Sequence, residues 1–219
     1  MAVALTTEYQ QFPTVLCFRH CEEGSNVSCF EIPSGCPCCG RSLKSANFLV
    51  PPFAVPTPFS FTDDGCQSSD ISPCSLLIKP TTGNFLTSYK AGDNLHIGIT
   101  DSQGNIFSYD EHGVKMEKQP WSYCLTIEVV NAEMTSVATA WNLALYKQSK
   151  LQKWQMENYD EENQNCFSFV LEFLNDLLHK GYDKEEFCNR FILPLTTKAA
   201  SYIGVYRKIL TDGLFVHQN

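Results

Sequence analysis

Two residues seventy positions apart have the types and settings that nucleophilic chemistry requires: His96, in the apolar segment Leu95-His96-Ile97-Gly98-Ile99-Thr100, and Cys166, in Asn165-Cys166-Phe167-Ser168-Phe169-Val170. Cys166 opens an amphipathic pattern, and a thiol at a helix N-terminus lies among unpaired N–H groups and the positive end of the helix dipole, which favour thiolate. An imidazole delivered from a facing strand would complete a nucleophile and base couple able to attack an amide, isopeptide or thioester carbonyl. The order, His before Cys, reverses that of ordinary papain-like enzymes.

A second constellation points to metal. Six of the eleven cysteines fall within the first 40 positions, and Cys36-Pro37-Cys38-Cys39-Gly40 contains C-x-x-C followed by Gly, a turn on which two thiolates can share one tetrahedral Zn²⁺. The other half of the site has two candidate sources, Cys21 with Cys29, or Cys17 with His20 or Cys21, while Cys38 is a bystander between ligands. The candidate ligand set is therefore His20, Cys21, Cys29, Cys36 and Cys39, holding one structural zinc. A four-ligand site of this kind leaves no open position for catalysis, and no organic cofactor is implied.

The elements that must position these groups follow from pattern. Residues 75–79 and 95–100 read as strands, 101–105 as a turn into a strand at 106–109, and 121–130 as a further strand. Asn131 and Glu133 start a helix whose apolar face carries Val137, Trp141, Ala144 and Leu145. The polar loop 158–165 leads into the helix of Cys166, which stops at Lys180-Gly181. Asp183 with Glu186 starts another helix, Pro194 interrupts it, and residues 197–210 form a last helix ending near Gly213. The fold class is α+β, a small antiparallel sheet with helices after it. Three regions are expected: a Cys-rich, zinc-knuckle-like segment over 1–49, a Pro- and Ser-rich linker over 50–74, and an α+β domain over 75–219.

Composition narrows the functional classes. The 219 residues carry a formal charge of −8, which argues against an electrostatic grip on nucleic acid or anionic lipid and makes basic partners easier to imagine. The first eight residues turn polar too soon for a signal peptide, and no apolar run approaches the roughly 18 residues of a membrane span. An intracellular protein, cytoplasmic or nuclear, is expected. Phosphate-loop, dinucleotide, G-x-S-x-G and H-E-x-x-H motifs are absent from the sequence.

From the His20-Cys21 and Cys-Pro-x-Cys segment to the closing helices, the chain resembles the makorin opposite-strand protein family. Over residues 75–180, the Leu95 to Ile99 strand, the turn, Ile106 to Val114, Tyr159 and Asn165-Cys166 resemble the circularly permuted papain-like superfamily of PPPDE-type isopeptidases, NlpC-type peptidases and lecithin retinol acyltransferase relatives. That resemblance implies a permuted papain-like domain with His96 as base, Cys166 as nucleophile and its backbone N–H facing the oxyanion. It further implies Asn165 shaping the turn before the nucleophile and Tyr159 lining the pocket. The chain departs from the superfamily at Ser108 and Ser168, where histidines are common, and Asp110 is the candidate third member that would orient His96. Two functions follow: a cysteine-dependent hydrolase or acyltransferase acting on a protein, peptide or acyl substrate, or an inactive papain-like protein-interaction module.

Overall fold

The computed structural model describes residues 12–22, 25–60, 72–119, 121–130 and 135–217. The expected N-terminal polarity signal, residues 61–71 of the expected linker and the Asn131–Glu133 helix start lie outside the described residues. The chain divides into two compact units, one of residues 1–57 with 201–219 and one of residues 58–200. The architecture is α+β with antiparallel sheets.

The first unit is a four-stranded sheet of β1 (Leu16–Arg19), β2 (Val27–Cys29), β3 (Val50–Ala54) and β9 (Leu214–Val216), ordered β3-β1-β2-β9. Composition places Val50–Ala54 at the head of the linker, yet it pairs with β1. It does so as an edge strand whose pairing shifts register between Cys17 and Arg19, and this irregularity takes in Pro51 and Pro52, which have no N–H to donate. At the opposite edge β9 pairs with β2, Val27 opposite Val216 and Cys29 opposite Leu214. The His217 N–H donates to the Asn26 carbonyl, and the Ser28 hydroxyl and His217 Nε2 share a hydrogen bond of 2.9 Å. Alternation sends Phe18, Val27 and Cys29 to one face, where they join Cys36 and Leu43 in a buried cluster flanked by Leu16, Phe48, Leu214 and Val216.

The second unit carries a five-stranded antiparallel sheet of β4 (Ser75–Pro80), β5 (Leu95–Thr100), β6 (Ile106–Asp110), β7 (Gly113–Glu117) and β8 (Leu125–Glu128), ordered β7-β6-β5-β4-β8. The expected strand over 121–130 is shorter because Tyr123 has φ 53°, a left-handed conformation that ends extended pairing, and Trp121 turns away to donate its indole N–H to Glu117.

Helices α1 (Thr135–Ser149) and α2 (Cys166–Leu178) cover one face of this sheet, joined by short 3-10 turns at Gln152–Trp154 and Met156–Asn158. The Trp141 ring of α1 meets Phe173 of α2 edge-on at 4.7 Å and donates its N–H to the Thr100 carbonyl. Phe169 of α2 packs against Tyr109 of β6 and Trp154. Each such large apolar side chain, fully buried, contributes about 1.5–3 kcal/mol. The α2 helix stops two residues early, with His179 rather than Gly181 in the left-handed position at φ 52°.

Asp183 caps α3 (Lys184–Phe187) by accepting from the Glu186 N–H, and a π turn at Cys188–Ile192 leads into α4 (Leu193–Asp212). Pro194 therefore does not end the helix: the wider turn just before it accommodates a residue with no N–H and a ring that would meet the preceding turn. Gly213, at φ 80°, closes α4 and turns the chain into β9.

Gly98 occupies a register position opposite Leu77 and Ser108, where a Cβ would lie 2.9 Å from Ile106 Cγ2 and 2.9 Å from the Trp121 ring. Its small size admits Trp121, not a helix. Gly98→Ala should lower stability by about 1–3 kcal/mol in urea denaturation with an unchanged m-value. Ending the chain at Gly213 removes Leu214 and Val216 from the first unit's core, and limited proteolysis should then cut residues 12–57 several-fold faster while 75–178 stay protected.

Candidate functional site

The strongest assembly of ligating side chains is in the first unit. β1 ends at Arg19, so His20 and Cys21 leave the strand together. Facing them is a turn closed by the Cys36 N–H to the Arg41 carbonyl and the Gly40 N–H to the Cys36 carbonyl, both 2.8 Å, with Gly40 left-handed at φ 72°. This turn aims Cys36 and Cys39 at the same point. The side-chain ligand atoms of His20, Cys21, Cys36 and Cys39 all lie within 4.8 Å of one another, a grouping that could bind a metal ion. Cys39 Sγ is 3.5 Å from His20 Nδ1, and the His20 ring leans edge-on against Phe48, which is itself packed on Phe18.

Two of these thiols, Cys21 and Cys36, are shifted in opposite senses. Burial pushes the Cys21 thiol up, neighbouring Cys39 and Cys36 add to it, and it reaches about 11. Burial also raises Cys36, but the backbone N–H groups of Cys39 and Cys38, with His20 and the Cys39 thiol, outweigh it and bring Cys36 down to about 6.

Four of the five expected metal ligands are thus brought together, and Cys29 is not. Cys29 alternates with Val27 on β2 into the apolar cluster, 1% exposed, and burial followed by the nearby Cys17 raises its thiol. The Val27-x-Cys29 alternation is the sequence signal that it belongs to the core. Cys17 is buried on β1, and Cys38 is exposed and outside the group.

In the second unit, α2 begins where expected. Asn165 is its N-cap: Oδ1 accepts from the N–H groups of Phe167 at 2.9 Å and Ser168 at 3.3 Å, and Nδ2 donates to the Glu161 carbonyl. Ser168 completes a capping box by accepting from the Asn165 N–H, which gives this departure from the superfamily a structural role. The cap holds the loop and helix, with all of these Asn165 atoms engaged in the turn.

Cys166 lies under α2, 6% exposed, against the backbone of Ile97. Burial pushes its thiol up, and the backbone N–H groups of Ile97 and Phe167 offset this only in part. Desolvation therefore outweighs the helix-terminus effect that would favour thiolate.

His96 is on the central strand, yet the period of the pleat puts it with Gly98 on the face that carries Trp121, while Ile97 and Ile99 face α2. Its ring packs on Trp121 at 5.4 Å, and Lys79, directly opposite on β4, lies 4.2 Å from the same indole. No hydrogen bond joins His96 to Cys166 among the described residues. Burial, then Lys79, lowers the His96 pKa, with Asp110 and Glu117 pulling the other way. Asp110 shares the His96 face but is engaged by Lys115 and by the His112 N–H of the hairpin turn, and these hold it below the usual carboxylate range against the effect of burial. His112 is exposed at that turn. Trp121 and Lys79, the groups that set the His96 environment, are not identified by any local motif; only the strand register brings them there.

The comparisons place the chain. It belongs to the DUF4796 family, matching the DUF4796 N-terminal description over residues 13–43 and the DUF4796 C-terminal description over residues 52–209. It is 31% identical to the human MKRN2 opposite strand protein over 203 residues, covering 91% of this chain and 87% of that one. The resemblance to the makorin opposite-strand family is therefore borne out. No solved structure matches the chain. Among the described residues, no helix is long and apolar enough to cross a membrane.

His96 is held below its unfolded value near 6.5, so the unfolded chain binds more protons between the two values. Its contribution to stability is complete above about pH 6.5 and is lost as pH falls through that value toward the folded one. His96→Gln should flatten this part of the stability profile measured by urea denaturation between pH 7 and 5.

Proposed function

We propose that this chain is a non-catalytic protein-interaction module whose first unit is held by one structural zinc ion and whose second unit keeps a permuted papain-like frame without a working dyad. The observation that carries the second half is the His96 ring, stacked on Trp121 beside Lys79 while the Cys166 thiol is buried under α2. A general base must reach the proton it abstracts, directly or through one water, and a nucleophile must be reached by its carbonyl. The strand of His96 lying against the helix of Cys166 supports descent from an enzyme of the papain-like kind.

For zinc, the support is the donor set and its spacing. Three thiolates and an imidazole suit a closed tetrahedral site, in which Zn–S near 2.3 Å and Zn–N near 2.0 Å give an S to N edge of about 3.5 Å. The Cys39 to His20 separation is 3.5 Å. His20, Cys21, Cys36 and Cys39 would hold the ion, which when bound supplies a cross-link between the end of β1 and the 36–40 turn. The chain's own residues prepare this, Phe48 orienting the imidazole and the backbone N–H groups of Cys38 and Cys39 supporting the Cys36 sulfur. The net charge of −8 favours a basic protein partner over nucleic acid.

Purified protein should contain one zinc per chain by elemental mass spectrometry, and Cys36→Ser should lose it. Cys166 should alkylate slowly at pH 7, at a rate that His96→Ala leaves unchanged. Rapid labelling of Cys166 that disappears in His96→Ala would establish an activated thiol and overturn the non-catalytic reading.

A further inference from the structure

Among the described cysteines outside the candidate metal group, Cys188 is half-buried and Cys38 exposed. Cys17, Cys29, Cys74, Cys124 and Cys166 are buried, and Cys124 lies in the cluster of Leu77, Ile106 and Trp121. The candidate metal group differs in that its sulfurs gather within 4.8 Å of one another and one side of it opens to the surface. That hollow is lined by Cys21, Cys38 and Cys39 with Arg41 and Leu49, whereas Cys36 is 3% exposed and does not line it. A ligand sulfur that solvent can reach keeps its nucleophilic lone pairs available to an electrophile, which a sealed site denies.

We propose that this group is also a hydroperoxide-reactive modification site, in which Cys39 is oxidised and Cys21 captures it as a disulfide, with release of the metal. The proposal rests on the zinc reading above for its metal-release step. The Cys39 thiolate attacks the outer oxygen of a hydroperoxide; the O–O bond breaks, Cys39 becomes a sulfenic acid, and the leaving alkoxide takes a proton to become an alcohol, or water from hydrogen peroxide. The Cys21 sulfur then attacks the Cys39 sulfur, forming the S–S bond and expelling the sulfenic hydroxyl as water. The peroxide is reduced by two electrons and the two thiols are oxidised by two. Cys21 is the resolving thiol because it shares the hollow with Cys39, and Cys38 is excluded as a partner by its adjacency, since a disulfide between neighbouring residues strains the intervening peptide. With two of four ligands consumed, zinc has only His20 and Cys36 left.

The consequence reaches the fold of the first unit. Cys36 belongs to its buried cluster and Cys21 packs against it, so loss of the ion loosens side chains that Phe18, Val27 and Leu43 depend on. Oxidation at the surface is thereby read out in the stability of the sheet.

The test uses the full chain, assayed for metal and then treated with hydrogen peroxide while zinc release is followed with a chromogenic chelator and disulfides are mapped by peptide mass spectrometry. The expected result is one zinc released per Cys21–Cys39 link, unchanged in Cys38→Ser. Cys39→His replaces the reactive sulfur with another zinc ligand, so it should retain metal and slow peroxide-driven release by about tenfold or more. Metal that stays bound through peroxide treatment, or a link other than Cys21–Cys39, overturns the proposal while leaving the zinc reading intact. Protein that never contains zinc overturns the zinc reading and with it the release step; the Cys21–Cys39 link then decides the modification site alone, its appearance sustaining it and its absence ending it.

Discussion

In the first unit, a small apolar cluster is shared between two pieces of backbone, the end of β1 and the 36–40 turn. Its buried apolar cluster consists of Phe18, Val27, Cys29, Cys36 and Leu43, and one of these, Cys36, belongs to the ligand group as well. The turn that presents Cys36 and Cys39 has two 2.8 Å hydrogen bonds and a left-handed glycine to hold it, and little apolar surface of its own. In the proposed zinc-bound state, a tetrahedral cross-link from this turn to His20 and Cys21 would make the loop part of the core. The binding free energy of such an ion would count toward folding of the unit. The C-terminal strand acts in the same direction, since β9 closes the sheet edge and adds Leu214 and Val216 to the cluster.

The second unit is held differently, by a sheet whose two faces are both occupied. Helices α1 and α2 cover the side of Ile97, Ile99 and Tyr109, and Trp121 covers part of the other, packed into the space that Gly98 leaves. Trp121 is tied there by Glu117, by Lys79 over its ring and by His96 against it. This arrangement gives His96 a structural partner. It also turns His96 away from the face that α2 covers, because adjacent residues on a strand point to opposite faces and Ile97 is the one facing α2. The same helix burial that fixes α2 desolvates the thiol at its start.

Much of this was legible in the sequence where the signal is local. The Asp101 to Asn105 turn, the apolar strand at 95–100, the Asn165 cap and the C-x-x-C turn each rest on residues close in the chain, and all form. Cys17, His20, Cys21 and Cys29 were readable as candidates from their residue types near the C-x-x-C turn, but choosing among them required knowing that β2 turns Cys29 inward. The direction of His96 depends on the pairing of Lys79 with His96 and on Trp121 leaving its strand at Tyr123, neither of which has a short-range signature. The pairing of β9 with β2 joins residues nearly 190 positions apart, and nothing in a three-residue apolar run announces it. Pro194 misled in the opposite sense: proline usually ends a helix, and here a π turn absorbs it.

The central claim is that His20, Cys21, Cys36 and Cys39 form one tetrahedral zinc centre that organises the first unit. X-ray absorption at the zinc edge on the purified chain tests it most directly. The account predicts a shell of three sulfurs at about 2.3 Å and one nitrogen at about 2.0 Å. A shell of four sulfurs, which would bring in Cys29, Cys17 or Cys38, or a shell of oxygen and nitrogen alone, would contradict it.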